Sequence, residues 1–212
     1  MSESVAPVQI PATSVAGLVW PAVTGRTGAA RAVLLAVLGA CLLTISAKVQ
    51  VPGPVPMTLQ TLAVMALGAL LGAKLAVASV AVYLAQGILG LPVFANTPPM
   101  VPGLAYLLGP TGGFLIGFAV AAGMVGSAAD HGLMRRPLAF ALVLTAANLA
   151  LLAIGAVWIA LLAQTSSGMG LGFAKAWAIG IQPFLLGNAI KLAIAALAFP
   201  ALYEALARFM RR

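Results

Sequence analysis

Over 212 residues the chain is 63% hydrophobic and 7% charged, with a mean hydropathy of +1.13, so no water-soluble fold could bury its apolar surface and it must be solvated by membrane lipid. The formal charge of +8 sits at the ends of apolar runs, where basic residues set topology, and nucleic acid is excluded as a partner. The single cysteine, Cys41, lies inside an apolar run and excludes a disulfide framework.

In chain order, residues 1–28 read as an N-terminal cytoplasmic arm, mostly extended, interrupted by Pro7, Pro11 and Pro21. Residues 29–212 read as a single all-α, integral membrane six-helix bundle. The first span, 29–48, sets Ala32, Ala36 and Ala40 at i, i+4 and i+8 beside Gly39. That face either docks a membrane partner or packs internally. A Pro-rich connection follows, with Gln50, Thr58, Gln60 and Thr61 around it. Span two runs over about 58–73, and Lys74 marks the turn into span three, about 75–91. Tyr83 and Gln86 share a face of span three.

The connection at about 91–110 carries Pro92, Pro98, Pro99 and Pro102 with almost no polar side chains. Such a segment is expected to be non-helical and folded back over a cavity as a lid. The turn Gly109-Pro110-Thr111-Gly112-Gly113 then opens span four, 111–129, with free backbone N–H groups. Span four ends at Asp130 and His131; the sole histidine is read as solvated. Span five, 137–163, starts on Pro137 and carries Asn148 near its middle, as a bond between helices in preference to a substrate contact. A flexible Gly-rich turn, 164–177, leads to span six, about 182–208, bent at Pro200.

Even parity puts both termini on one side of the membrane. Arg26, Arg31, Lys74, Arg135, Arg136, Arg208, Arg211 and Arg212 fall on that side, against Lys48 and Lys175 on the other. The termini are therefore expected to be cytoplasmic, with the lid and its pocket open to the exterior of the cell membrane. Topology does not account for Lys191, about 12 Å along span six from Pro183 at roughly 1.5 Å per residue. It either snorkels or contacts a ligand; Asn188 on the same face favours the ligand, with Phe94, Tyr83, Trp158 or Phe184 as apolar walls.

MTLQTL (57–62), GLPVFA (90–95), GPTGGFLIGF (109–118) and PFLLGNAIK (183–191), in this order, resemble the BioY family of biotin transporters, the substrate-binding S subunits of energy-coupling-factor transporters. The resemblance implies a six-helix protein that captures biotin and works with a transmembrane scaffold subunit and two cytoplasmic ATPases; a homo-oligomer stays open. It also implies that the Ala32, Ala36 and Ala40 face docks on the scaffold. Lys191 matches the family's lysine near the ureido head of biotin, whereas Asn188 stands where an Asp is expected. Asn96 falls in the lid region the family uses near the ligand, and Thr111 and Gly112, in the turn that opens span four, are further candidate substrate-binding residues. No arginine lies between Lys74 and Arg135 for the valerate carboxylate, which leaves Lys48, Lys175 or the Gly109–Gly113 backbone; Phe114 replaces a frequent Tyr.

The sequence has no GxxxxGK[ST] phosphate loop and no metal-ligand spacing, and its only acids are Glu3, Asp130 and Glu204. No enzyme activity, metal or cofactor is expected. The alternatives are a permease for another vitamin or small metabolite, signalled by Asn188, and a purely structural subunit in which Lys191 snorkels.

Overall fold

The computed structural model describes residues 14–19, 25–51, 57–97, 102–165 and 168–210. Most of these are helical. The long helices are α2 (Arg26–Lys48), α6 (Gly112–Asp130), α7 (Pro137–Leu161) and α9 (Leu185–Phe209), with α3 (Gln60–Leu71) and α4 (Ala73–Ile88) shorter. Four stretches are long and apolar enough to cross a membrane: Thr27–Lys48, Gly112–Asp130, Pro137–Leu161 and Phe173–Phe209. Sheet among the described residues is limited to two small antiparallel pairs, β1 (Gln50–Val51) with β2 (Met57–Thr58) and β3 (Gln164–Thr165) with β4 (Gly168–Met169). The prolines at 52–56 and 98–99 lie outside the described residues.

Helix α6 sits at the centre and packs on α3, α4 and α7. Its glycines set how closely: a Cβ on Gly113 would fall 2.2 Å from Trp158 Cβ of α7, and one on Gly126 2.4 Å from Ala73 N of α4. In lipid, where no hydrophobic effect drives helices together, this contact supplies the packing attraction. The tight α3–α4 turn is at Gly72, φ 78°, and Asp130 Oδ2 accepts the Ala73 N–H at 3.0 Å, capping α4 from the end of α6. Outward-facing Val33, Ile45, Leu138, Leu186 and Leu197 are each more than half exposed, an apolar surface suited to acyl chains.

Three expectations change. The arm is not wholly extended: α1 (Val15–Val19) packs on α3 and α9, with Ser14 Oγ accepting from Gly17 N and Arg31 donating to Ala16 O. The Gly-rich stretch 164–177 is not a simple turn. It holds the β3–β4 pair and then α8 (Phe173–Gly180), because FAKAWAIG has no helix breaker before its last residue, Gly180, and packs on α7. The 91–110 connection contains one helical turn, α5 (Leu104–Leu108), between Gly103 and Gly109. Pro200 lies within α9, which runs unbroken past it.

The alanine face of α2 turns inward. Ala40 is fully buried, Ala36 is 6% exposed and only Ala32 is partly open. Gly39 beside them is so close to α4 that a Cβ would fall 2.2 Å from Ser79 Oγ. Ala36 and Ala40 are therefore occupied by the chain's own helices, and a partner could reach them only if α2 parted from its neighbours.

Candidate functional site

A cavity of about 230 Å³ forms where β1–β2 and the start of α3 meet α6, α7 and the first turns of α9. Its walls are largely apolar, from Phe114, Leu115 and Phe118 of α6, Leu151, Leu152 and Ile159 of α7, Ile179 and Phe184. Its polar groups are Gln50, Thr58, Gln60, Thr61, Asn96, Tyr106, Thr111, Asn188 and Lys191. Few polar groups in an apolar concavity is the composition of a small-molecule site.

Lys191 is the charged group in that lining. It is 6% exposed, and its Nζ donates to Thr58 O at 2.8 Å and to Thr61 Oγ1 at 3.0 Å. An ammonium carries three N–H donors, so one remains for the cavity. Thr61, having accepted from Lys191, donates onward to Asn188 Oδ1 at a long 3.4 Å. That direction turns the Asn188 amide nitrogen away from Thr61. The i, i+3 spacing in α9 thus places an ammonium and an amide side by side.

Asn96 also lines the cavity. It holds a left-handed backbone, φ 57°, which Asn tolerates better than most residues, and its Oδ1 accepts from Gln50 Nε2 at 2.6 Å. Thr111 reaches the cavity beside Pro110 at the start of α6. The other expected residues stand outside the lining. Tyr83, fully buried, lies beneath the 91–97 segment, accepting from Gln60 Nε2 at 2.8 Å and donating to Val93 O at 3.4 Å. Phe94 is buried in a notch left by Gly87, where a Cβ would fall 1.9 Å from its ring, and it stacks on Tyr106 at 4.7 Å. Gln86 is partly exposed away from the cavity, its carbonyl accepting from Leu91 N. Trp158 Nε1 donates to Gly109 O at 2.9 Å and so holds the turn that presents Thr111. Gly112 packs in the same corner, with no room for a Cβ beside Leu107 O.

The 91–97 segment is fastened from several sides. Lys48 Nζ donates to Phe94 O at 2.8 Å, to Thr97 Oγ1 at 3.1 Å and to Thr97 O. Tyr106 in α5 donates to Ala95 O at 2.8 Å; burial raises its phenol above the ordinary value and keeps that donor protonated. Lys175 is exposed and outside the lining. Asn148, 4% exposed in α7, does not make the bond between helices expected of it: its Oδ1 meets no donor among the described residues.

The BioY family model matches residues 13–208, nearly the whole chain. The chain belongs to the BioY family. Among curated BioY proteins it is similar to the probable biotin transporter BioY of Pyrococcus horikoshii, 35% identical over 167 residues, 78% of this chain and 92% of that one. It is also similar to biotin transporter BioY2 of Lactococcus lactis subsp. cremoris, at 31% over 81% of this chain and 90% of that one. Biotin transporter BioY of Thermotoga maritima is 35% identical over 74% of this chain and 86% of that one. A solved structure, the S-component for biotin from an ECF-type ABC transporter, shares the fold with a TM-score of 0.67 at 21% identity, covering 86% of this chain and 95% of that one.

Within this BioY-family fold, the residues that sequence reading undervalued are Thr58, Gln60 and Thr61. They appear in the sequence as polar residues beside a Pro-rich connection, yet they supply the partners of Lys191 and Tyr83. The available signal was four hydrogen-bonding side chains, Gln50 included, clustered at the entry of an apolar helix.

Proposed function

We propose that this chain captures biotin in the cavity from the exterior and delivers it across the cytoplasmic membrane, as the substrate-binding subunit of an energy-coupling-factor transporter. The observation that carries the reading is the Lys191–Thr61–Asn188 cluster inside an otherwise apolar cavity. Biotin pairs a polar cyclic urea with an apolar ring and chain, which suits such a lining. Lys191's remaining N–H and the Asn188 amide donate to the ureido carbonyl. Asn188 Oδ1, only loosely held by Thr61, accepts one ureido N–H, a weaker bond than a carboxylate would make. Lys48 is committed to the 91–97 segment and Lys175 is exposed, which leaves the Pro110–Thr111 corner as the seat for the valerate carboxylate.

In this reading the six apolar helices all cross or enter the bilayer, with the termini cytoplasmic and the 91–110 connection acting as an outer lid; the excess of basic residues on the terminal side supports that orientation. The chain is a transport protein and not an enzyme. Energy comes from partners, a transmembrane scaffold subunit and two cytoplasmic ATPases. The absence of an acidic side chain from the described cavity lining favours a second reading, a different vitamin as substrate.

Equilibrium binding to the detergent-purified chain decides between them, with biotin as ligand and desthiobiotin and an unrelated vitamin as competitors. Saturable, biotin-selective binding is expected. A well-folded chain that binds no biotin but retains the unrelated vitamin would sink the biotin assignment.

A further inference from the structure

Tyr83 touches neither the cavity nor its solvent, yet its hydroxyl lies in a hydrogen-bonded chain that starts at the cavity. Lys191 donates to Thr58 O at 2.8 Å; Thr58 Oγ1 donates to Gln60 Oε1 at 3.2 Å; Gln60 Nε2 donates to Tyr83 Oη at 2.8 Å; Tyr83 donates to Val93 O at 3.4 Å. Gln60 is 4% exposed and Tyr83 fully buried, so few waters compete for these bonds. The final acceptor is a backbone carbonyl, which cannot donate, and this fixes the direction of the bonds from Thr58 Oγ1 through Gln60 to Tyr83; the Lys191 bond to the Thr58 carbonyl has its direction from the ammonium itself. With Val93 in place, Tyr83 must donate outward and accept from Gln60, so the Gln60 amide has one orientation. Without Val93, the phenol is free to donate to Gln60 Oε1, and that amide, which lines the cavity, is free to flip.

We infer that Tyr83 is a positioning residue that couples the 91–97 segment to the binding cavity through Gln60, so that the seated segment sets the polar face offered to the ligand and an occupied cavity holds the segment down. The inference rests on the biotin-binding reading only for the identity of the ligand. The longest bond, to Val93, is the joint that parts when the segment lifts. The ring of Tyr83 makes a separate edge contact with Phe94, centroids 5.4 Å apart at 80°, which Tyr83→Phe retains.

The test uses the full chain in detergent, with Tyr83→Phe, Gln60→Met and their double variant. Hydrogen exchange of the 91–97 amides, measured without ligand, is expected to rise about fivefold in each single variant, as befits loss of one buried hydrogen bond. Biotin dissociation is expected to accelerate by a similar factor, and the double variant to be no faster than the faster single one. Gln60→Met with wild-type exchange at 91–97 overturns the coupling, as do dissociation effects that multiply in the double variant. If Gln60→Met does not fold, Thr58→Val interrupts the chain upstream while leaving the carbonyl that Lys191 uses, and the same readouts apply. Should the wild-type chain bind no biotin, the proposed function falls, whereas the ligand-free exchange arm still decides the coupling.

Discussion

Lys48 and Lys191 are the same residue, one exposed at the end of α2 and the other buried in α9, each without a carboxylate in reach among the described residues. Both are accommodated by neutral oxygens, carbonyls and threonine hydroxyls. The difference is saturation. Lys48 spends its donors on Phe94 O, Thr97 O and Thr97 Oγ1, all in one segment of the connection, and has nothing left to offer. Lys191 spends two on Thr58 and Thr61 and lines the cavity with the third. A count of donors against acceptors thus separates a fastening cation from a binding one, where residue type does not.

The most severe way to break this contrast is Lys191→Ala. Biotin affinity is expected to fall at least tenfold, about 1.4 kcal/mol, in an equilibrium titration. Unchanged affinity would remove Lys191 from the site and make it merely a snorkelling residue. Lys48→Met should act differently, through kinetics. Losing the fastening of Phe94 and Thr97 is expected to speed biotin dissociation about fivefold with little change in association, because Phe94 O keeps its bond from Thr97 Oγ1 while Thr97 O loses the Lys48 donor, a loss of about 1 kcal/mol. A stopped-flow trace showing slower association with unaltered dissociation would contradict the fastening role. The smallest effect is expected of Asn148→Leu, the case of a buried polar atom with no donor among the described residues. Removing it should leave biotin binding alone and raise thermal stability by up to about 1 kcal/mol, read as a higher Tm. A lower Tm would mean that the amide has a partner that matters.

Much of the helical layout was legible without coordinates. Apolar length and basic flanks locate α2, α6, α7 and α9 to within a few residues, because in lipid a helix satisfies its own backbone and the pattern is local. Pro137 marked the start of α7 correctly for the same reason. The inward turn of Ala36 and Ala40 was not legible, since a stripe of small residues fits a partner helix and an internal one equally well. Nor was α8, whose helix depends on packing against α7.

The site divides along the same line. Spacing alone set Asn188 and Lys191 on one face, and the cost of an intramembrane charge singled out Lys191. Of the expected aromatic walls Phe184 lines the cavity, whereas Tyr83, Phe94 and Trp158 hold the surrounding segments, and the remaining walls come from Phe114, Phe118, Leu151 and Ile159. Sequence by itself determined which side chains are too costly to leave unpartnered in lipid. Only the tertiary structure decided which partners they find, and hence that Lys48 closes on the 91–97 segment while Lys191 keeps a donor in hand, because hydrogen-bond partners 46 or 133 residues away are chosen by packing and not by periodicity.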